Sequence, residues 1–104
     1  MKIHFFDKEL EKFIMFLEKS AIAKTLHTID LLEKFGHNLR LPHSKKVRHN
    51  LFELRIYGVQ GIRILYTFYK NSVILLHGFK KKSQRIPQKE IKLAVQKIEK
   101  LDKI

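Results

Sequence analysis

Arg55 and Arg63 each lie inside a stretch with strand-like patterning, Leu51–Tyr57 and Ile62–Tyr69, and Lys80, Lys81 and Lys82 follow directly on the apolar run Val73–Phe79. An arginine on a sheet offers a planar fork that fits a phosphate through two hydrogen bonds, and a lysine adds a compact charge. If the hairpin loop is Asn71-Ser72, Lys70 faces Val73, and the ladder carried back sets Arg63 opposite Lys80. An odd-length loop centred near Val59 then puts Arg55 opposite Arg63 and brings Glu53 to the same surface, whereas an even loop moves Arg55 off it. Like charges meeting across strands repel unless an anion lies between them. The pattern therefore suggests a phosphate site; the alternative is a solvated charged face with Glu53 as its counterion.

The distribution of charge points the same way. The 104 residues carry 22 Lys+Arg against 10 Asp+Glu, a formal net charge of +12. Residues 1–36 hold six lysines and six acids, which cancel, so the whole excess belongs to the rest of the chain. A polyanion suits such a half, because each neutralised phosphate releases counterions; solubility or an acidic protein partner is the other explanation. Lys45, Lys46, Arg48, Lys80 and Arg85 are the candidate RNA contacts, with Tyr57 at a turn as a stacking residue. Tyr66 and Tyr69, inside a strand, read as packing residues.

Other chemistries find little support. There is no cysteine, which removes disulfides, thiolate nucleophiles and Cys-ligated metals. The six histidines show no metal-ligand spacing, the four glycines form no phosphate loop, no serine sits in a nucleophile elbow and no carboxylate pair stands out. The expectation is no metal and no cofactor. RNA cleavage without metal has to rely on cations and the RNA's own 2′-hydroxyl. His77, between Leu76 and Gly78, reads as a hydrogen-bonded core histidine, and His49 is an acid–base candidate.

The elements that must position these residues follow from periodicity. Ile3–Phe6 is a short strand, and Asp7 caps a helix carrying Leu10, Phe13, Ile14 and Leu17 at helical spacing. Ser20 is the expected cap of a second helix, stopped at Gly36, and the two form a hairpin. Residues 37–50 read as a long connection, strand-like at its end. Three antiparallel strands with tight turns come next, and a terminal amphipathic helix starts at Pro87. The expected fold is α+β: an N-terminal strand and helix hairpin, a three- to four-stranded antiparallel sheet and a C-terminal helix. The helices are expected on one face, with the other left to solvent or ligand.

The run Leu51–Ile91, "LFELRIYGVQGIRILYTFYKNSVILLHGFKKKSQRIPQKEI", resembles the core of the HigB branch of the RelE/ParE toxin superfamily. Its "ELR" at Glu53–Arg55, "RILY" at Arg63–Tyr66 and "LLHGFKKKSQ" at Leu75–Gln84 carry the likeness, and the preceding "LLEKFG" and "LRLPHSKK" extend it over nearly the whole chain. The resemblance implies one RelE/HigB-like domain over residues 1–104. It implies a type II toxin acting as a ribosome-dependent mRNA endoribonuclease, partnered by a HigA-like helix-turn-helix antitoxin. In that scheme Arg55 and Arg63 clamp the scissile phosphate and Lys81 or Lys82, or Lys80, supplies the basic group at the strand end. Some members of the wider superfamily place a tyrosine or histidine near the terminal helix as general acid; here Ile86, Pro87 and Ile91 occupy that region. Two other readings stand beside it: a ParE-like gyrase inhibitor without nuclease activity, and a plain basic RNA-binding module. A cytoplasmic monomer without membrane segment is expected, partnered by antitoxin, ribosome and mRNA.

Overall fold

A computed structural model describes residues 1–56, 58, 61–83 and 85–102. Strand β1 (Lys2–Phe5) leads into helices α1 (Lys8–Met15) and α2 (Lys19–Phe35). After a 3-10 turn at Gly36–Asn38 come β2 (Ser44–Arg48), β3 (Leu51–Arg55), β4 (Ile62–Tyr69), β5 (Ser72–Lys80) and helix α3 (Gln88–Leu101). The fold is α+β, as the patterning implies, and the sheet has five strands in the order β1-β5-β4-β3-β2. Two edges account for the extra strands. β1 pairs parallel with β5, and the end of the basic connection pairs antiparallel with β3 as β2.

Asp7 caps α1, its carboxylate accepting from the Leu10 N–H at 3.3 Å. The second helix begins earlier than expected: Glu18, with extended backbone and no side-chain cap bond, precedes Lys19, so Ser20 lies inside the helix. Gly36, at φ 51°, ends it.

The helices occupy both faces of the sheet, which corrects the one-face expectation. On one side Leu10, Ile14, Ile29 and Leu32 of α1 and α2 pack against Leu54, Ile62, Ile64, Tyr66, Val73 and Leu75. On the other, Ala94 and Leu101 of α3 cover Leu51, Leu65, Ile74, Leu76 and Phe79. The central strands are therefore apolar on both sides, which is why β4 and β5 read as nearly continuous apolar runs. Gly78 lets α1 approach β5 closely, since a Cβ there would stand 2.6 Å from the Phe13 ring. On the opposite face Lys97 ties α3 down: its Nζ donates to the Leu76 carbonyl at 2.8 Å and pairs with Asp7 Oδ2 at 2.9 Å.

The register also differs from expectation. The β4–β5 hairpin turns on Lys70 and Asn71, both at positive φ, so Tyr69 faces Ser72. A bulge beside Leu65 and Tyr66 then shifts the ladder by one residue. As a result Arg63 faces Phe79, and Lys80 pairs with Ile62.

Candidate active site

Glu53 is 1% exposed and forms the floor of the site. Its Oε1 accepts from Arg55 Nε at 2.8 Å, while Oε2 lies 3.8 Å from Arg63 Nε and 3.9 Å from Lys81 Nζ. The backbone dictates this convergence. Arg55 pairs directly with Arg63 across β3 and β4, as an odd loop requires, and Glu53, two residues back, shares their face. Lys81 arrives from just past β5, where its N–H donates to the Gly61 carbonyl at 2.8 Å. Gly61 sits at φ 66°, and a Cβ there would collide with the Lys81 carbonyl, so only glycine lets the two segments close together.

Arg63 is oriented further by its Nη1, which donates to the Ile62 carbonyl at 2.9 Å. Glu53 Oε2 and Arg63 Nε are buried without a hydrogen-bond partner among the described residues. The side chains of Arg55, Arg63 and Lys81 keep 22%, 19% and 11% of their surface, so each reaches solvent on one side. Three cations around one carboxylate leave an excess of two positive charges. The anion expected between the like charges is thus present in part within the protein, as Glu53.

Above this floor opens a cleft of about 360 Å³ between β2, β3 and the start of α3. Lys45 and Lys46 border it on the β2 side, and Lys81 and Arg85 on the side of the segment after β5. Val47, Ile86 and Ile91 supply an apolar wall, and among the described residues Gln88 is its one neutral hydrogen-bonding side chain. Lys82, with Arg63, Lys81 and Ser83, borders a neighbouring hollow.

The expected residues separate accordingly. Arg55, Arg63, Lys81, Lys45, Lys46 and Arg85 come together, with Lys82 adjacent. Lys80 does not belong with Arg63 as the ladder argument had it: the hairpin position and the bulge turn it to the α1–α2 side, where it borders a hollow with Phe16, Leu17 and Ile62. Arg48 borders a separate depression along α3. Tyr57 lies outside the described residues. Tyr66 is a core residue, its hydroxyl bonded to Ser44 Oγ, and burial pushes its pKa up, with Ser44 opposing in part. Tyr69 donates to the Leu101 carbonyl at 3.1 Å, joining sheet to α3. His77 meets Glu90 at 3.0 Å, the hydrogen-bonded role expected for it. His49 is exposed in the turn between β2 and β3.

Gln88 was not foreseen, although its place just after Pro87, close behind the lysine run, is a signal for it. Among the described residues no three His, Cys, Asp or Glu side chains converge to hold a metal. No helix among them is long and apolar enough to cross a membrane.

Comparison with known proteins identifies the family. The family described as phage derived protein Gp49-like (DUF891) matches residues 4–99. A protein of Mycobacterium tuberculosis bearing the toxin name HigB3 is 37% identical over 78 residues, covering 69% of this chain and 68% of that protein. A match spanning nearly the whole sheet and all three helices, with a relative of this likeness, decides the family: the chain belongs to the phage-derived Gp49-like family, as a HigB-like toxin.

Proposed function

We propose that this toxin is a ribosome-dependent mRNA endoribonuclease of the RelE type, acting as one domain in the cytoplasm and held in check by a HigA-like helix-turn-helix antitoxin. The observation that carries the reading is the convergence of Arg55, Arg63 and Lys81 on buried Glu53 at the floor of a basic cleft. A scissile phosphate seated above that floor meets two guanidinium groups and an ammonium. The RNA 2′-hydroxyl attacks the adjacent phosphorus, its proton passing to a base, and the bond to the next nucleotide's 5′-oxygen breaks as that oxygen gains a proton. The products are a 2′,3′-cyclic phosphate and a free 5′-hydroxyl.

Charge builds on the phosphorane oxygens in the transition state, and fixed cations in a partly dry site stabilise it more than they stabilise the substrate. Arg55 and Arg63 take that role. Lys81 and Lys82 are the amines that move protons, since Ile86 and Ile91, which carry no proton to give, form the cleft wall. Lys45, Lys46 and Arg85 hold the flanking strand at the rim.

The test is brief induction in a bacterial host with mapping of new mRNA 5′ ends. Frame-locked cuts inside translated codons are expected, with loss of at least tenfold in Arg63→Ala and partial recovery in Arg63→Lys, which restores charge but not the fork. A folded Arg63→Ala protein that cuts as well as wild type overturns the site assignment. Growth arrest without cuts overturns the nuclease reading.

A further inference from the structure

The cleft shares part of its lining with the depression along α3. Gln88 and Ile91 line it on one side and on the other line a second depression, about 770 Å³, that runs along the outer face of the helix. Arg48 borders this groove from the end of β2, and Lys89 and Lys92 border it from α3. The two lysines are three residues apart, hence neighbours on one helix face, and Ile91 and Val95, four apart, give the same groove an apolar floor. Glu99 borders it too, and from Gln88 to Glu99 the helix rises about 16 Å.

The cations here differ from those of the site. Arg55, Arg63 and Lys81 share a carboxylate, whereas Arg48, Lys89 and Lys92 have no carboxylate partner among the described residues. A strand whose phosphate occupies the cleft has to leave it, and the route over Gln88 and Ile91 leads into this groove. A row of cations that tracks a backbone suits a single strand, with phosphates at the cationic groups, and Ile91 and Val95 give the bases an apolar surface to lie against. Glu99, repelling phosphate, marks where the track ends.

We propose that the groove between Arg48 and α3 is a second RNA-binding site, which holds the backbone of the strand flanking the cleaved phosphate. This rests on the nuclease reading for the direction of the strand, but its test does not require cleavage. The probes are a 2′-O-methylated 12-nucleotide RNA and a 2′-O-methylated trinucleotide, with binding followed by fluorescence anisotropy across a salt series. The variant is Lys89→Gln/Lys92→Gln, both positions being exposed on the helix surface.

Loss of two phosphate contacts lowers the slope of log affinity against log salt by about 1.4 for a single strand. The 12-nucleotide RNA is expected to bind several-fold more weakly at low salt, with trinucleotide affinity unchanged. An unchanged slope overturns the groove, and so does equal weakening of both probes, which would reflect general loss of charge. Capture of polyglutamate through these lysines with no RNA affinity also overturns it, in favour of an acidic protein partner. If wild type cuts no mRNA in cells yet the slope changes as stated, the nuclease reading fails and the groove stands. If it cuts and the slope is unaltered, the groove alone fails.

Discussion

Glu53 is the residue on which the cation cluster depends. Its burial is tolerable because Arg55 neutralises it at 2.8 Å, with Arg63 and Lys81 beside it, and those three cations in turn are tolerable because of Glu53. Glu53→Gln keeps the shape but removes the charge and points an amide donor at other donors. We expect it to cost about 1–3 kcal/mol, lowering Tm by roughly 4 °C or more in a domain of this size. Added phosphate should narrow the gap by supplying the missing anion. Thermal melts of both proteins across a phosphate series test this, and equal Tm values without phosphate would mean that Glu53 does not offset the cluster. The pairing of Arg55 with Arg63 was legible as one of two outcomes, because it depends on the length and centre of the loop before β4, and the structure has the odd one. The choice of Lys81 was not, because it turns on one bulged residue in β5 that no local pattern announces.

Among the elements, α3 is the one whose place the sequence left most open. Periodicity announces an amphipathic helix but not which sheet face receives it. The signal was the two-sided apolar character of β4 and β5, which needs a cover on each side. What fastens α3 is partly electrostatic, through Lys97 between Asp7 and the Leu76 carbonyl. Burial pushes the Asp7 carboxyl up, but Lys97 and the N–H groups of Leu10 and Glu9 outweigh it, so its pKa ends below the ordinary value. A pKa depressed on folding adds stability above the unfolded value, about 3.9, and that stability is lost as pH falls through the folded value. Asp7→Asn retains the cap and removes the charge. Wild type should exceed it by a few tenths to about 1 kcal/mol from pH 7 down to about 5, with the gap closing below about pH 4. Urea midpoints across that range decide it; a gap that stays constant into acid would refute the linkage.

At the scale of the whole molecule, 16 of the 22 basic residues lie after residue 36, and Lys45, Lys46, Arg55, Lys81 and Arg85 among them line the cleft. The balanced first third builds α1 and α2, which cover the opposite face of the sheet. That asymmetry was readable from counting alone, whereas the cleft required the chain to fold β2 beside β3 and lay α3 over the second face of the sheet. A native state with net charge +12 resists compaction by self-repulsion, and any salt relieves this by screening. Site binding adds a term that screening does not: an anion bound only by the folded state stabilises it in proportion to the logarithm of its concentration over Kd. Inorganic phosphate should therefore raise Tm more than chloride at equal ionic strength, by roughly 6–11 °C once it exceeds its Kd about tenfold. Lys81→Met keeps an aliphatic stem under the cleft wall but removes the ammonium, and it should lose most of this surplus while responding to chloride as wild type does. If phosphate and chloride act alike on both proteins, the basic surface is a diffuse field. If phosphate retains its full advantage in Lys81→Met, the anion is held elsewhere than above Glu53.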